Sequence, residues 1–180
     1  MKRYFATIHL EDGRKMTVEM FPEQAPETVR NFVKLARSRY YDGMIFHRVI
    51  PGFMVQGGGM YPDMDTKGGL TPIIGEFKDN GINNTLRHTL GTISMARTNV
   101  PNSATSQFFI CVKDVFFLDG QYAAFGKVIE GMETVNAIAE TRTDMSDRPR
   151  VPQVMKTVTV ETFGVEYAVC TAPTIIEAEE

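Results

Sequence analysis

One arginine stands inside an otherwise apolar stretch of the chain, residues 46–59, which read FHRVIPGFMVQGGG. Side chains at positions i, i+2 and i+4 of a strand point to one face, so we expect Phe46, Arg48 and Ile50 to share a side. A permanently charged guanidinium is costly to hold among apolar side chains unless a partner pairs with it. Either the fold or a ligand therefore requires the charge of Arg48.

After a Pro-Gly bend, the same alternation predicts Met54 and Gln56 on one face and Phe53 and Val55 on the opposite face. The glycines at 57–59 lack the Lys-Ser/Thr pair and the helix start of a phosphate-binding P-loop. We therefore interpret them as a bend that lets the backbone pass close to another part of the chain.

Two further segments mix apolar and polar side chains in the same way, residues 94–110 (SMARTNVPNSATSQFFI) and 116–128 (FFLDGQYAAFGKV). With residues 46–59 they supply a set of apolar and polar candidates: Phe53, Met54, Phe109, Phe117 and Leu118 beside Arg48, Gln56, Gln107 and Tyr122. An apolar pocket with a few convergent polar groups is the usual form of a small-ligand site. Taken singly, the apolar residues favour core packing, and Arg48 and Arg97 favour solvated surface charges.

Other kinds of chemistry have weaker support. Ser103, Thr105 and Ser106 have no histidine near them in sequence, and neither serine lies in a Gly-x-Ser-x-Gly elbow. His47 points away from Arg48 if both lie on a strand, and we interpret it as a hydrogen-bonded structural histidine. The three histidines and two cysteines show no metal-ligand spacing, so the sequence predicts neither a metal nor a cofactor.

The composition is that of a soluble globular protein: 180 residues, 43% hydrophobic and 23% charged. The net charge of −3 gives no argument for nucleic acid or an anionic membrane as partner. No apolar run approaches the roughly 20 residues that span a bilayer, and no signal peptide is evident. We expect a cytoplasmic monomer with free thiols at Cys111 and Cys170, one domain over 1–165 and a tail over 166–180.

The elements that must position these residues are eight short strands and two helices. Strand-like alternation occurs at 4–10, 15–20, 44–50, 53–56, 91–95, 107–112, 123–128 and 156–163. Apolar residues at helical spacing follow Pro26 and occupy 132–139. The loop-rich segment 57–90 is unusually long unless it is functional or locally packed. So many short strands indicate a barrel or a sandwich, with the helices over its open ends.

The chain resembles the cyclophilin family of peptidyl-prolyl cis-trans isomerases over residues 4–164. The segments FHRVIPGFMVQGGG, SQFFI and FLDG…FGKV carry the resemblance, and MART is similar to the bacterial cytosolic branch. The resemblance implies a mostly β fold, a closed eight-stranded antiparallel β-barrel capped by two α-helices, in agreement with the count above. It also implies an isomerase, without a cofactor, that acts on proline-containing peptides and on unfolded or partly folded proteins.

The same resemblance implies roles for individual residues. Arg48 is the catalytic arginine, and Gln56 faces the peptide backbone. The substrate-binding residues are Phe53, Met54, Phe109 and Leu118 around the proline ring, Ala96 and Arg97 along the substrate strand, and Gln107, Phe117 and Tyr122 on the groove walls. Phe117 and Tyr122 stand where many family members have tryptophan and histidine. The loss of an indole N–H donor implies weak binding of cyclosporin-like macrocycles.

Two other functions stay open as alternatives. A binding module, acting as a chaperone or scaffold, uses the same groove for proline-containing segments with incidental turnover. The presence of Arg48 argues against pure binding, because apolar walls alone can hold a proline ring. A lipocalin-type barrel binds its ligand in a hollow interior, which the 12 Phe and 11 Met residues disfavour.

Overall fold

The computed structural model describes residues 3–162 and places eight strands and two α-helices among them. The strands are β1 (Tyr4–Leu10), β2 (Lys15–Met20), β3 (Phe46–Ile50), β4 (Met54–Gly57), β5 (Thr92–Met95), β6 (Phe108–Cys111), β7 (Ala124–Glu130) and β8 (Met155–Glu161). The helices are α1 (Pro26–Arg37) and α2 (Met132–Ala139), and short 3₁₀ turns lie at Lys78–Asn80 and Phe116–Leu118. The predicted order is confirmed. The predicted tail 166–180 and Cys170 lie outside the described residues.

The strands form one antiparallel sheet in the order β3-β4-β6-β5-β7-β2-β1-β8. Its two edge strands approach each other where each begins. Ile45 bridges Val154, and the Phe46 N–H donates to the carbonyl of Gln153 at 3.0 Å. The sheet therefore curls into a half-barrel. Within residues 3–162 there is no continuous ladder between β3 and β8, so the predicted closure of the barrel is not confirmed.

Helix α1 buries one face against the sheet, as its apolar spacing predicts. Pro26 lies in the first turn, where its fixed φ and missing N–H are tolerated. Val29, Phe32, Val33 and Ala36 are all buried in the main core. This face is the tertiary support that a helix of only 12 residues needs.

The start of α1 takes its cap from a distant loop. Ala25 at the N-cap position has no side-chain acceptor. Glu76, which is buried, instead accepts from the Thr28 N–H at 2.6 Å and from the Thr28 hydroxyl at 2.7 Å. A carboxylate at this position also complements the helix dipole. The long segment 57–90 is thus locally packed. Local packing was one of the two explanations expected for a loop of this length, and function was the other.

The sheet is apolar on both faces around β6. Phe108 and Ile110 point into the main core, whereas Phe109 and Cys111 point outward, as alternation along a strand requires. The outward residues belong to a second cluster, which we call the outer cluster: Met54, Phe109, Cys111, Val115 and Leu118. Burial raises the pKa of the Cys111 thiol to about 12, so this free cysteine is an inert packing residue.

A β-bulge in β3 overturns one prediction about faces. Phe46 pairs with Gly57 and Arg48 pairs with Gln56, so two steps along β3 match a single step along β4. Phe46 is consequently buried in the main core, whereas Arg48 is exposed on the outer face. The prediction that Phe46 and Arg48 share a side is wrong, because strict alternation assumes unbulged pairing.

The prediction for Phe53 is also wrong. We expected it opposite Met54, but β4 begins at Met54 and Phe53 lies in the turn before it, where its N–H donates to the Ile50 carbonyl at 3.0 Å. Both side chains therefore reach the outer cluster. Val55 lies in the main core, on the opposite face from Met54, as predicted. No helix within residues 3–162 is both long and apolar enough to cross a membrane.

Candidate active site

Strand register places four side chains in one row on the outer face of the sheet. Arg48 of β3 pairs with Gln56 of β4, Gln56 pairs with Phe109 of β6, and Phe109 pairs with Ser94 of β5. Directly paired side chains in antiparallel strands are close neighbours. The row thus joins a cation, an amide, an aromatic ring and a hydroxyl from four strands and from two distant segments of the sequence, 46–59 and 94–110.

A cavity of about 190 Å³ opens beside this row. It is lined by most of the predicted site residues: Arg48, Phe53, Met54, Gln56, Ala96, Arg97, Phe109, Leu118 and Tyr122. Its floor is the outer cluster, in which Met54 is 2% exposed, Phe109 5% and Leu118 9%. The floor is therefore held by the fold and is ready to receive an apolar group.

The remaining two predicted residues lie beside the cavity. Gln107 lines an adjoining depression, and its side-chain carbonyl accepts from the Gln56 amide at 2.9 Å. Phe117 is 67% exposed at the rim, with its ring 5.8 Å from that of Phe53. The structure thus brings all the predicted site residues to one region of the surface.

Arg48 keeps most of its donors available. Its one hydrogen bond is long, from Nη1 to the Gln56 side-chain oxygen at 3.5 Å, and the residue is exposed. Among residues 3–162 no carboxylate lies within ion-pair distance of the guanidinium. The charge of Arg48 therefore has no structural partner, and it faces the cavity instead.

Arg97 is a different kind of arginine, and its interpretation as a solvated charge is wrong. Its Nε and Nη2 donate to the Gln121 carbonyl at 3.1 and 2.6 Å, and its Nη1 donates to the Thr98 carbonyl at 2.8 Å. The guanidinium also lies over the rings of Tyr122, at 4.7 Å, and Phe77, at 4.8 Å. Arg97 thus fixes one wall of the cavity by hydrogen bonding and cation–π contact.

The Phe109 ring is held on two sides. The Tyr122 ring meets it edge to face, with centroids 5.8 Å apart and planes at 85°. The His88 ring stacks on it with centroids 6.0 Å apart and planes at 16°. The plane of the cavity floor therefore depends on two neighbours from separate loops.

His88, Asp119 and Ser94 form a hydrogen-bonded chain that the sequence analysis missed. His88 Nδ1 lies 2.9 Å from Asp119 Oδ1, and His88 Nε2 lies 2.9 Å from Ser94 Oγ. No motif spacing links these residues, because His88 lies in the loop before β5, Ser94 in β5 and Asp119 after the 3₁₀ turn Phe116–Leu118, and only the tertiary fold brings them together. The one available signal was a serine between Ile93 and Met95 in an apolar strand.

The interpretation of His47 as a hydrogen-bonded histidine is wrong for its Nδ1 atom, which is buried and has no hydrogen-bond partner in the part of the chain from 3 to 162. Burial, followed by the neighbouring charge of Arg48, lowers the pKa of His47 below its ordinary value. The residue is the extra one in the β3 bulge, so its ring has no cross-strand neighbour in register.

The interpretation of the glycines as a site of close approach is confirmed. A Cβ atom at Gly59 would lie 2.5 Å from the Gln107 side chain. A Cβ at Gly58, whose φ is +85°, would lie 2.9 Å from the rings of Tyr41 and Phe108. Gly59 therefore makes room for the glutamine that holds Gln56 in place.

The arrangement suits binding and electrostatic chemistry. Arginine stays protonated, so Arg48 can donate hydrogen bonds but cannot act as a base. Ser94 is completely buried, so it is out of reach of a substrate as a nucleophile. Residues 3–162 contain no group of three metal-binding side chains. The site can therefore hold an apolar ring and offer a permanent cationic donor to an atom beside that ring.

Comparison with known proteins gives a consistent result. Residues 5–160 match the family model described as cyclophilin type peptidyl-prolyl cis-trans isomerase/CLD. A peptidyl-prolyl cis-trans isomerase of Streptomyces antibioticus is 46% identical over 164 residues, covering 84% of this chain and 96% of that protein. Peptidyl-prolyl cis-trans isomerase B of Escherichia coli is 42% identical over 166 residues, covering 86% and 98%.

Solved structures show the same likeness. The crystal structure of a cyclophilin type peptidyl-prolyl cis-trans isomerase from Cryptosporidium parvum is similar with a TM-score of 0.78 at 32% identity, covering 88% of this chain and 98% of that one. The structure of the same protein in the presence of the dipeptide Ala-Pro is similar with a TM-score of 0.77 at 32% identity, covering 87% and 98%.

Proposed function

Because the chain belongs to the cyclophilin-type peptidyl-prolyl cis-trans isomerase family, we propose that it accelerates rotation about Xaa–Pro peptide bonds and that Arg48 is the catalytic donor. One observation carries the role of Arg48. Its guanidinium has no ion-pair partner within residues 3–162, yet it lies in the same strand row as the Phe109 floor of an apolar cavity.

The reaction needs no nucleophile. A peptide bond resists rotation because the nitrogen lone pair is delocalised into the carbonyl group. Even for the peptide bond that precedes a proline, uncatalysed cis-trans rotation takes tens to hundreds of seconds. At the half-turned geometry the resonance is lost and the lone pair returns to the nitrogen. A donor aimed at that nitrogen then forms a hydrogen bond that the planar amide cannot accept, which is transition-state binding.

Arg48 has the properties that this step requires. It is always charged and carries five N–H donors, of which the structure uses one in a long contact with Gln56. Gln56 in turn donates to Gln107 at 2.9 Å, so the amide beside the guanidinium is oriented before any substrate binds. Preorganised donors of this kind need little rearrangement when charge develops.

The cavity supplies the second part of catalysis. Phe109, Met54 and Leu118 are held by the outer cluster and can bury a pyrrolidine ring. We assign Gln56 and the backbone of Ala96 and Arg97 to the peptide on either side of the ring. The similar protein solved in the presence of Ala-Pro supports a proline-containing substrate. Holding the ring still while one donor meets the nitrogen is positional catalysis.

The decisive experiment compares Arg48→Ala with wild type in a chromogenic tetrapeptide assay of prolyl isomerisation. Preorganised donors supply about 2–4 kcal/mol, so we expect kcat/KM to fall roughly 30- to 1,000-fold. Arg142→Ala is the matched control, because Arg142 is exposed and lies outside the cavity. Wild-type rates in Arg48→Ala would remove this residue from the mechanism.

The same variant separates the isomerase from a proline-binding chaperone or scaffold. An isomerase that loses Arg48 keeps most of its affinity for a proline peptide, because the apolar floor is intact, while turnover collapses. A pure binding module shows no such separation between affinity and rate. Isothermal titration with an Ala-Pro-containing peptide, run beside the rate assay, measures both quantities on one preparation.

We further propose that cyclosporin-like macrocycles bind weakly. Phe117 provides a 67% exposed ring at the rim but no N–H donor. Phe117→Trp restores a donor, and one added hydrogen bond of about 1 kcal/mol predicts a roughly fivefold gain in affinity for cyclosporin. Phe116→Trp is the control for general gain of aromatic surface, because Phe116 packs under the Arg87 guanidinium rather than against Phe53 of the cavity. Equal effects of both variants, or none from Phe117→Trp, contradict the proposal.

The closure of the half-barrel is a separate proposal. We propose that the half-barrel closes where β3 and β8 begin, at the bridge between Ile45 and Val154. The hydrogen bond from the Phe46 N–H to the Gln153 carbonyl supports this junction. It lies at the start of the strand that carries Arg48.

A further inference from the structure

A hydrogen-bonded chain, two of whose three members are buried, lies against Phe109 of the cavity floor. It runs from the Asp119 carboxylate to His88 Nδ1 and from His88 Nε2 to the Ser94 hydroxyl, with both distances at 2.9 Å. His88 and Ser94 are each 0% exposed. The His88 ring in the middle of this chain is the one that stacks on Phe109.

The partners fix the tautomer of His88. An ionised carboxylate only accepts hydrogen bonds, so Nδ1 carries the proton that faces Asp119. Nε2 of the neutral ring is then an acceptor, and the Ser94 hydroxyl donates to it. Each group in the chain has one role, so the ring cannot rotate without breaking two hydrogen bonds.

Asp119 connects the same chain to the cavity wall. Its carboxylate also accepts hydrogen bonds from the backbone N–H of His88 at 2.7 Å and from Arg87 Nε at 3.1 Å. It directly follows Leu118, which lines the cavity, and it precedes the turn that leads to Tyr122. One carboxylate therefore links the histidine under the floor to the loop that forms the wall.

We propose that His88 is a positioning residue: its neutral form, protonated at Nδ1, sets the plane of Phe109, and protonation of Nε2 in acid displaces that ring and weakens substrate binding. This inference rests on the proposed isomerase function. His88 does not touch the substrate, since it is 0% exposed and is not among the residues that line the cavity.

The charges around His88 give the direction of the pH dependence. Burial lowers the pKa of His88 below its ordinary 6.5, although the Asp119 carboxylate acts in the opposite sense. The ionisable groups on the packed elements are Asp119, Arg87, Asp114, Cys111 and Tyr122. His88 is therefore more often neutral near neutral pH than an ordinary histidine, and it takes up a proton as the pH falls.

Protonation disturbs the chain at Nε2. The new N–H points at the Ser94 hydroxyl, which has to turn from donor to acceptor, and a charge appears at a site with no exposure. A shift of His88 that relieves this arrangement also moves its stacking partner, Phe109. We expect the change to raise KM more than it lowers kcat, because the proline ring binds on Phe109 and the donor Arg48 is unaffected.

The test is the pH profile of kcat, KM and peptide affinity from pH 8 to 5 for wild type, His88→Asn and Asp119→Asn. We expect wild type to lose affinity below pH 6.5 with uptake of one proton. His88→Asn, which loses the stacked ring, should bind about three- to tenfold more weakly at pH 8 and show no acid loss. Asp119→Asn removes the carboxylate, so the acid loss should move to lower pH.

Controls separate this inference from the proposed function. His9→Asn changes a half-buried histidine whose ring, among residues 3–162, is hydrogen-bonded to Thr159, and it should keep the wild-type profile. Turnover of wild type at pH 8 and its loss in Arg48→Ala test the isomerase itself. The role of His88 is overturned if His88→Asn keeps the wild-type pH profile of peptide affinity. It is also overturned if the loss of affinity in acid disappears in His47→Asn instead.

A measurement on wild type keeps the inference testable even if His88→Asn does not fold. The NMR signals of the His88 Cε1–H and of the Phe109 ring should titrate together, with the midpoint seen in peptide affinity. Circular dichroism at the same pH values excludes unfolding as the cause. A flat affinity profile, or a Phe109 ring that does not respond when His88 titrates, refutes the proposal.

Discussion

The two arginines at the cavity carry the same charge but differ in how many N–H donors remain available to a substrate. Arg97 has its donors satisfied by the carbonyls of Gln121 and Thr98 and is stacked against aromatic rings. Among the residues that the structure describes, Arg48 makes one long contact and keeps its other donors free. The first therefore builds the wall and the second can act on a substrate. From the residues alone, both were interpreted as surface charges, and only the family resemblance distinguished them.

Two adjacent phenylalanines give a prediction at the same scale. Phe108 packs in the main core and Phe109 in the floor of the cavity, on opposite faces of β6. Phe108→Ala should lower the free energy of unfolding by about 3–5 kcal/mol, because it leaves a cavity in the core. Phe109→Ala should cost less stability but weaken binding of a proline peptide at least about tenfold, a change of roughly 1.4 kcal/mol.

Denaturant unfolding and peptide titration on both variants measure these effects. The result that contradicts the assignment is wild-type peptide affinity in Phe109→Ala, since the proline cavity would then lie elsewhere. A loss of affinity in Phe108→Ala at temperatures where it stays folded would show that the two faces are not independent.

The predicted site residues lie together at the cavity, and each of them belongs to a short contiguous motif. Such motifs identify well the residues that are close to one another in sequence. Three contiguous segments were enough to identify the cavity lining from the resemblance. Motifs carry no information on contacts that the tertiary fold sets, which is why His88 was missed as the partner of Asp119 and of Ser94. Side-chain alternation failed at His47 for a related reason, because a bulge changes the count on only one of two paired strands.

At the scale of elements, α1 depends on an acceptor from another part of the chain. Glu76 binds the Thr28 N–H and hydroxyl, and the helix has no side-chain cap of its own. The apolar spacing predicted the helix and its buried face, because both follow from local sequence. The cap was not predictable, since 48 residues separate Glu76 from Thr28.

Substitution of Glu76 tests that dependence. Glu76→Ala leaves buried donors unsatisfied and should lower the free energy of unfolding by about 1–3 kcal/mol. Glu76→Gln keeps one acceptor oxygen and should lose less. Glu23→Ala, an exposed acidic residue just before the helix, is the control and should stay within about 0.5 kcal/mol of wild type. Equal stability of Glu76→Ala and Glu23→Ala would show that the cap is not needed.

At the scale of the whole molecule, strand number and order along the chain were predictable, but the closure of the sheet was not. Eight alternating segments gave the strand count, and the turn residues gave their limits. The order β3-β4-β6-β5-β7-β2-β1-β8 depends on pairing between distant segments, which alternation does not encode. This order ends at β3 and β8, which meet beside the isolated bridge between Ile45 and Val154.

Hydrogen exchange tests the proposed closure at this junction. The Phe46 N–H donates to the Gln153 carbonyl at 3.0 Å, and the Met155 N–H donates to the Met44 carbonyl at 2.8 Å. If the barrel closes here, both amides should exchange as slowly as those within β4 and β6. Exchange as fast as in the exposed loop at Met145 would show that the junction is open in solution.

The bulge at His47 also determines which change of length β3 tolerates in related sequences. Deleting His47 restores regular pairing and makes Phe46 and Arg48 neighbours in sequence, still opposite Gly57 and Gln56. Neighbouring residues of a strand point to opposite faces, so Phe46 stays in the core and Arg48 stays at the cavity. Relatives that retain both the fold and the cationic donor should therefore have either one residue or none between these two positions.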